Sequence, residues 1–459
     1  MSWFYRFAYG DTAPLHTLLE KHFRAHRLGS LAVHERNFPL RVQADLQRAL
    51  DTVMQQATVR HFSGIQKTNF STRPADFASI LTSDPRLCEV MIAAPQYEEV
   101  DIGEAEPVRQ LKEGIWLVEE EQRRFAVMLV PQDPYSYMQK PGIRVQIAVP
   151  ADPTGLAMVQ SFFDRLETAV RTGRSYRGKI LSLEQATDYS GRYTGIKVHK
   201  LHAVARENVI LPSATLELLD RNVIRFVEQR PRLAKLGLST KKGLLFYGLP
   251  GTGKTHTIHY LAAALPGVTT LLITEEQVGL FSEYMALARL LQPSMVVIED
   301  ADLIARDRTA IAGACQEMFL NKLLNEMDGL RADADILFIL TTNRPESLEA
   351  ALTSRPGRID QAIEFPLPDQ GAREKLVRLY AQAAPITDNV VRATVKLTEN
   401  VSAAFIKELM RRAAQFYLER EGSDTIMLHD VDAAIQEMMF AGGSLNRKLL
   451  GSHCDNDDT

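Results

Sequence analysis

Paired cysteines are missing from this sequence of 459 residues. Its three, Cys88, Cys315 and Cys454, lie far apart with no C-x-x-C pair, so a zinc ribbon or dithiol redox site is not encoded. Reduced thiols are expected. No H-E-x-x-H occurs, which excludes the usual zinc protease. His199 and His202, three apart, are read as structural. Long apolar runs are missing as well. "FAVMLV" (125–130) and "ILFIL" (336–340) fall far short of the ~20 residues needed to cross a bilayer. "MSWFYRFAYGD" at the start has no secretory core. A cytoplasmic protein without a membrane partner is expected. Neither sign of charge dominates: a formal net charge of −4 argues against a chain that clings to nucleic acid over its whole surface. The basic-aromatic stretch "HFRAHRLGSLAVHERNFPLR" (22–41) is read as a solvated helix face and loop.

What is present is an ordinary globular composition, 45% apolar and 24% charged, in a chain long enough for roughly three units of about 150 residues. Residues 1 to 80 read mainly helical, as in "TLLEKHFRAH" (17–26) and "RVQADLQRALDTVMQQA" (41–57). Short β-rich runs follow at 114–118, 124–130 and 143–149, which predicts antiparallel strands. Apolar spacing predicts a helix over 156–173, and "RGKILSL" (177–183) predicts one more strand. Together, residues 1–200 form an N-terminal α+β region with no assigned chemistry. Beyond "VILPSA" (209–214), strands alternate with helices, which implies a parallel sheet covered on both faces. Strands are predicted at 243–247, 269–273, 295–299, 336–342 and 361–366. Residues 369–445 read as a helical bundle, and 446–459 as an acidic disordered tail.

"GLPGTGKT" (248–255) fits G-x-x-x-x-G-K-[ST] between a predicted strand and a predicted helix, the context that gives the pattern its meaning. Gly248, Gly251 and Gly253 let the backbone curl so that its N–H groups face phosphates, and the helix from Lys254 adds its positive end. Lys254 suits the β and γ phosphates, and the Thr255 hydroxyl suits magnesium. Downstream, "MVVIEDAD" (295–302) is a strand running into the acids Glu299 and Asp300.

The loop, this acid pair, "NKLLNEMDGL" (321–330), "LTTNRPESLEAAL" (340–352) and "SRPGRID" (354–360) occur in the order seen in AAA ATPases. Over about residues 205–440 the chain resembles that family. The resemblance implies an α/β P-loop parallel sheet at 201–368 with a C-terminal helical lid, and a ring, usually a hexamer. It implies ATP and Mg2+ as cofactors, with nucleotide contacts from Gly248, Pro250, Gly251, Thr252, Gly253, Lys254, Thr255 and His256. By position, Glu299 joins Thr255 in ordering magnesium and Asp300 polarises the attacking water. Asn343 senses the γ-phosphate, and Arg355 and Arg358 are fingers reaching a neighbour's nucleotide. Asp328 and Gly329 fall in the segment that relays nucleotide state between subunits. The family usually places aspartate before glutamate; the reversed order is similar to that of the mitochondrial inner-membrane AAA translocases.

Three departures stand out. Leu249 replaces a proline, a change expected to be tolerated. "VSAAF" (401–405) opens the lid helix with small residues and no arginine. The segment 274–293 is short and lacks an aromatic–apolar–glycine pore motif, and Phe281 and Tyr284 are either pore-facing or core. The expected function is a homo-oligomeric ATP hydrolase that remodels an unidentified protein client. The alternatives are an ATP-binding switch or scaffold with little hydrolysis, and a nucleic-acid remodeller or loader.

Overall fold

The structure is a computed structural model that describes residues 14–67, 74–82, 90–120, 122–132, 142–185, 194–201, 203–302, 323, 325–326, 329, 334–346, 359–382, 384–420 and 425–438. The three cysteines, His202, Asp328, Arg355, Arg358 and the tail from 446 lie outside these residues. The chain divides into two compact units, residues 1–177 with 183–199 and residues 178–182 with 200–459.

The first unit contains α1 (Leu15–His22), β1 (Leu31–Pro39), α2 (Gln43–Gln56), β2 (Thr58–Lys67), α3 (Phe77–Thr82) and β3 (Val90–Ala93). These are followed by β4 (Tyr97–Val100), β5 (Val108–Leu111), β6 (Gly114–Glu120), β7 (Arg123–Pro131), β8 (Gly142–Pro150) and α4 (Pro153–Arg171). Six strands form an antiparallel sheet in the order β1-β8-β7-β6-β2-β3. Both faces of this sheet are covered. Ala126, Met128 and Val130 of β7 pack in one cluster with Leu15 and Leu19 of α1 and Phe77 and Ile80 of α3. Phe125, on the alternate register, meets Phe162 of α4 edge to face at 6.0 Å. Double coverage explains why β7 is buried almost end to end, a pattern more usual in parallel sheets.

The strands predicted at 114–118, 124–130 and 143–149 are present, but the helical reading of 1–80 is corrected. The helices over 15–22 and 43–56 are there, yet Leu31–Pro39 and Thr58–Lys67 are strands. β1 is an edge strand rich in charge. β2 shifts register between Val59 and His61, which breaks the two-residue period that marks a strand. The stretch 22–41 is likewise not simply a solvated face and loop. His22 is buried with Nε2 3.1 Å from the Phe125 carbonyl, and Arg36 pairs with Glu167 at 2.7 Å while lying over the Phe163 ring.

The second unit holds the parallel sheet. β9 (Ile180–Gln185) contributes Ile180 and Leu181, which pair with the strand that starts at Thr269. β10 (Thr194–His199) belongs to the first unit, and the second continues with α5 (Ser213–Leu219), α6 (Arg225–Lys235), β11 (Lys242–Tyr247), α7 (Lys254–Ala264), β12 (Thr269–Ile273), α8 (Phe281–Leu290), β13 (Ser294–Ile298), β14 (Ile336–Thr342) and β15 (Gln361–Glu364). The order β12-β13-β14-β11-β15 puts the strand before the glycine loop between two parallel neighbours. Such an order opens crevices at the carboxyl ends of the strands, where ligands of open α/β sheets bind. Leu244, Phe246, Val297 and Ile339 pack under Ile258 and Leu261 of α7.

Four lid helices follow: α9 (Gln370–Ala381), α10 (Asp388–Leu397), α11 (Ala403–Glu419) and α12 (Leu428–Gln436). Leu376, Val391, Phe405, Leu409 and Val431 form their common core. Asp369 and Ser402 cap α9 and α11, each accepting from the backbone N–H three residues on. Among the described residues, no helix is long and apolar enough to cross a membrane.

Candidate functional site

The turn after β11 is wound through three left-handed or extended glycines, with φ of +148° at Gly248, +77° at Gly251 and +103° at Gly253. At the first two, crowding adds to conformation. A Cβ on Gly248 would sit 2.3 Å from the Phe365 carbonyl oxygen, and one on Gly251 would sit 2.8 Å from the Ala404 methyl. The small residues that open α11 are what let the lid approach this closely, and Ala404 N–H donates to the Gly251 carbonyl at 3.1 Å. Leu249 leaves the loop's hydrogen bonding to its backbone. Its side chain points to solvent, while its carbonyl accepts from the Thr252 hydroxyl at 2.9 Å and from Lys254 Nζ at 3.1 Å.

Lys254, the first residue of α7, is only 7% exposed. Its ammonium donates to the Gly248 carbonyl at 2.8 Å and to Asn343 Oδ1 at 2.8 Å. Burial pushes its pKa below the ordinary lysine value, and the carboxylates of Asp300 and Asp302 oppose that shift. Next in the chain, the Thr255 hydroxyl donates to Glu299 Oε1 at 2.8 Å. Asn343 connects the two sides of the site. Its amide oxygen faces Lys254, and its Nδ2 donates to Asp300 Oδ1 at 2.9 Å.

The acid pair leaves β13 in an unusual backbone. Asp300 has φ of +46° and is fixed by its N–H donating to the Thr341 hydroxyl at 2.9 Å. Aspartate tolerates the left-handed region better than longer side chains do, because its short polar group bonds locally. The reversed order thus places the shorter acid where the backbone turns left-handed.

Lys254, Thr255, Asp300 and Asn343 line a cavity of about 380 Å3, within the ~300–1,000 Å3 range of small-molecule sites, and Glu299 adjoins it through Thr255. The glycine loop, Asp300 and Asn343 form its polar end. Asn208–Leu211 and the lid residues Leu376, Tyr380, Ala403, Ala404 and Lys407 form the remainder. His256 lines it too, with Nε2 3.3 Å from the Asn208 carbonyl. The sequence-predicted Gly248, Pro250, Gly251, Thr252, Gly253, Lys254, Thr255, His256, Glu299, Asp300 and Asn343 are thus gathered at one crevice. Arg355 and Arg358 fall outside the described residues. Phe281 and Tyr284 are fully buried in α8, which decides between pore and core: both are core.

Sequence reasoning missed Asp302, Lys407, Tyr380 and the 208–211 strap. Asp302 carried a signal, a third acid two residues past the pair. Lys407 lies one turn inside α11, beyond the helix start where a lid cation was sought. The lid therefore does supply a positive group to the cavity.

The arrangement can cradle a phosphate chain on backbone N–H groups, a helix N-terminus and a buried ammonium. The adjacent Thr255 and Glu299 oxygens are the hard donors that magnesium takes. In comparison with known proteins, residues 244–367 match the ATPase family associated with various cellular activities (AAA). The chain is 33% identical over 240 residues to the ATP-dependent zinc metalloprotease FtsH 2 of Salinibacter ruber, covering 48% of this chain and 34% of that protein. It is 32% identical over 279 residues to the proteasome-activating nucleotidase of Methanocaldococcus jannaschii, covering 58% and 61%. With the cell division cycle protein 48 homolog of Archaeoglobus fulgidus it shares 30% over 231 residues, covering 48% and 30%. The chain thus spans from under a third to about three-fifths of these relatives' lengths.

Proposed function

We infer, from the premise that residues 244–367 form an AAA ATPase domain, that this protein binds ATP with Mg2+, hydrolyses it, and uses the cycle to remodel a protein client. One observation carries the reading: Asn343 bridges the buried Lys254 ammonium and the Asp300 carboxylate at the end of a cavity fit for a nucleotide.

The backbone from Gly248 to Gly253 and the N-terminus of α7 hold the phosphates, and Lys254 neutralises their β and γ oxygens. Thr255 and Glu299 would hold a magnesium ion, which would supply charge neutralisation for the phosphates. Asp300 orients and polarises the attacking water, and Asn343 fixes Asp300 relative to the γ-phosphate. Positioning of this kind, rather than a strong base, is the main requirement of phosphoryl transfer. The adenine side belongs to the 208–211 strap with Leu376 and Tyr380, and Lys407 adds a cation from the lid.

Arg355 and Arg358 complete the site of a neighbouring subunit, so turnover requires a homo-oligomeric ring, which we take to be a hexamer. Residues 1–200 select the client. Threading by aromatic pore residues finds no support among the described residues of 274–293, since its two aromatics are core. Local remodelling of a folded client fits better.

Steady-state turnover of wild type and Asp300→Asn, with binding of a fluorescent ATP analogue, tests the reading. We expect wild-type turnover per subunit to rise with protein concentration. Asp300→Asn should lose at least ~100-fold in turnover while its nucleotide Kd stays within threefold. Binding without turnover in wild type, at every concentration and with client extracts added, would replace the motor with a switch.

A further inference from the structure

We infer that Asp302 is a positioning residue for hydrolysis: it clamps the turn that carries Asn343 to the turn that carries Glu299 and Asp300. The inference rests on the ATPase reading above and adds a residue to it.

Asp302 is 6% exposed, and its Oδ1 receives two hydrogen bonds. One comes from the Thr342 hydroxyl at 2.8 Å and the other from the Asn343 backbone N–H at 3.2 Å. Thr342 Oγ1 in turn accepts from Arg344 N–H at 2.9 Å, so the hydroxyl is held from both sides. Two rungs lie one step nearer the sheet, where Asp300 N–H donates to Thr341 Oγ1 at 2.9 Å and Ala301 N–H to the Thr341 carbonyl at 2.8 Å. The turns leaving β13 and β14 are therefore stitched at successive residues, and Asp302 makes the last stitch.

That stitch is the one that reaches Asn343. An asparagine side chain spans only two torsions from its backbone. The bridge from Lys254 to Asp300 thus depends on where residue 343 sits. Its two contacts, at 2.8 and 2.9 Å, leave little slack. A carboxylate taken out of water is costly unless its lone pairs are used. Here Oδ1 uses them on Thr342 and on the residue that spans the two sides of the site, in the manner of outer groups that orient metal ligands and whose loss costs ~10–100-fold.

Three full-length variants test this. Asp302→Ala deletes the oxygen that accepts both bonds. Asp302→Asn keeps an amide oxygen that can accept both bonds. Thr342→Val keeps the shape but deletes the donor to Asp302 and, with it, the acceptor of Arg344 N–H. Turnover, KM, the Kd of a fluorescent ATP analogue, and hydrogen exchange at the Asn343 amide are measured for each. We expect Asp302→Ala to lose ~30–100-fold in kcat with Kd within threefold, and the Asn343 amide to exchange faster. Asp302→Asn should recover to within fivefold of wild type, with slow exchange. Thr342→Val should fall between them.

The proposal is overturned if Asp302→Ala keeps kcat within threefold, if Kd weakens as much as kcat falls, or if Asp302→Asn falls as far as Asp302→Ala. Should Asp302→Ala not fold, the order of Asp302→Asn above Thr342→Val decides instead. An inert wild type would sink the ATPase reading and not the clamp, which the exchange rates of Asp302→Asn and Thr342→Val would then decide alone.

Discussion

Two buried polar networks, one in each unit, are built from similar parts and end differently. In the first unit, Gln146 is 1% exposed; its Oε1 accepts from Phe77 N–H at 3.0 Å, and its Nε2 donates to Glu35 and Asp76 at 3.0 and 2.6 Å. Arg144 adds its charge beside the same two acids. That network closes on itself. In the second unit, short hydrogen bonds join Lys254 to Asn343, Asn343 to Asp300 and Thr255 to Glu299, but around the polar end of a cavity. Polarity alone does not mark a functional site. Polarity arranged around a space does, because the groups there can exchange their internal bonds for bonds to a ligand.

If the contrast holds, damage to the open network should harm binding and spare stability. Lys254→Met removes a buried cation whose loss also relieves desolvation, so the fold should change little, with Tm within ~3 °C. Contacts to a charged group contribute about 2–3 kcal/mol, so the ATP Kd should rise ~30–150-fold. Titration with a fluorescent ATP analogue beside thermal unfolding reads both. An unchanged Kd would mean the cavity is not a phosphate site.

The converse experiment breaks the closed network. Gln146→Leu leaves the buried Phe77 N–H without its acceptor and takes one donor from two acids that Arg144 still faces, a cost of about 1–3 kcal/mol. For a unit of this size, that lowers its Tm by ~2–12 °C. Nucleotide Kd and turnover per folded molecule should not move. A matching loss of ATP affinity would erase the distinction drawn here.

The same contrast explains what was legible beforehand. Phosphate chemistry demands glycines, a lysine and a hydroxyl at fixed spacing, so 248–255 could be read letter by letter. The strands of the parallel sheet were legible because burial on both faces makes them continuous apolar runs, as in "MVVI" and "ILFIL". β1 and β2 were not, because a charged edge strand and a strand with a register shift lose the alternation that marks them. Asp302 and Lys407 were hidden for another reason. Asp302 acquires its meaning from Thr342, forty residues on, and Lys407 from a lid helix folded over the glycine loop. Only tertiary approach creates those roles.

The lid offers a third, smaller test, because its ion cluster is closed but lies at the surface. Glu408 accepts from Arg411 Nη2 at 2.6 Å and from Arg412 Nε at 2.7 Å. Hydrogen bonding from Arg411 first, and then from Arg412, pulls its pKa from 4.5 to about 2. A carboxyl depressed in this way stabilises the folded state fully above 4.5, progressively less as pH falls, and scarcely at all below about 2. Partly exposed pairs are screened, so Glu408→Gln should lower Tm by only ~1–3 °C at pH 7. The gap between variant and wild type should narrow between pH 5 and pH 3, and shrink with added salt. A gap that stayed constant down to pH 3 would show that Glu408 acts through packing of its side chain on α11. Glu408 would then be no counterpart of the charged groups around the cavity.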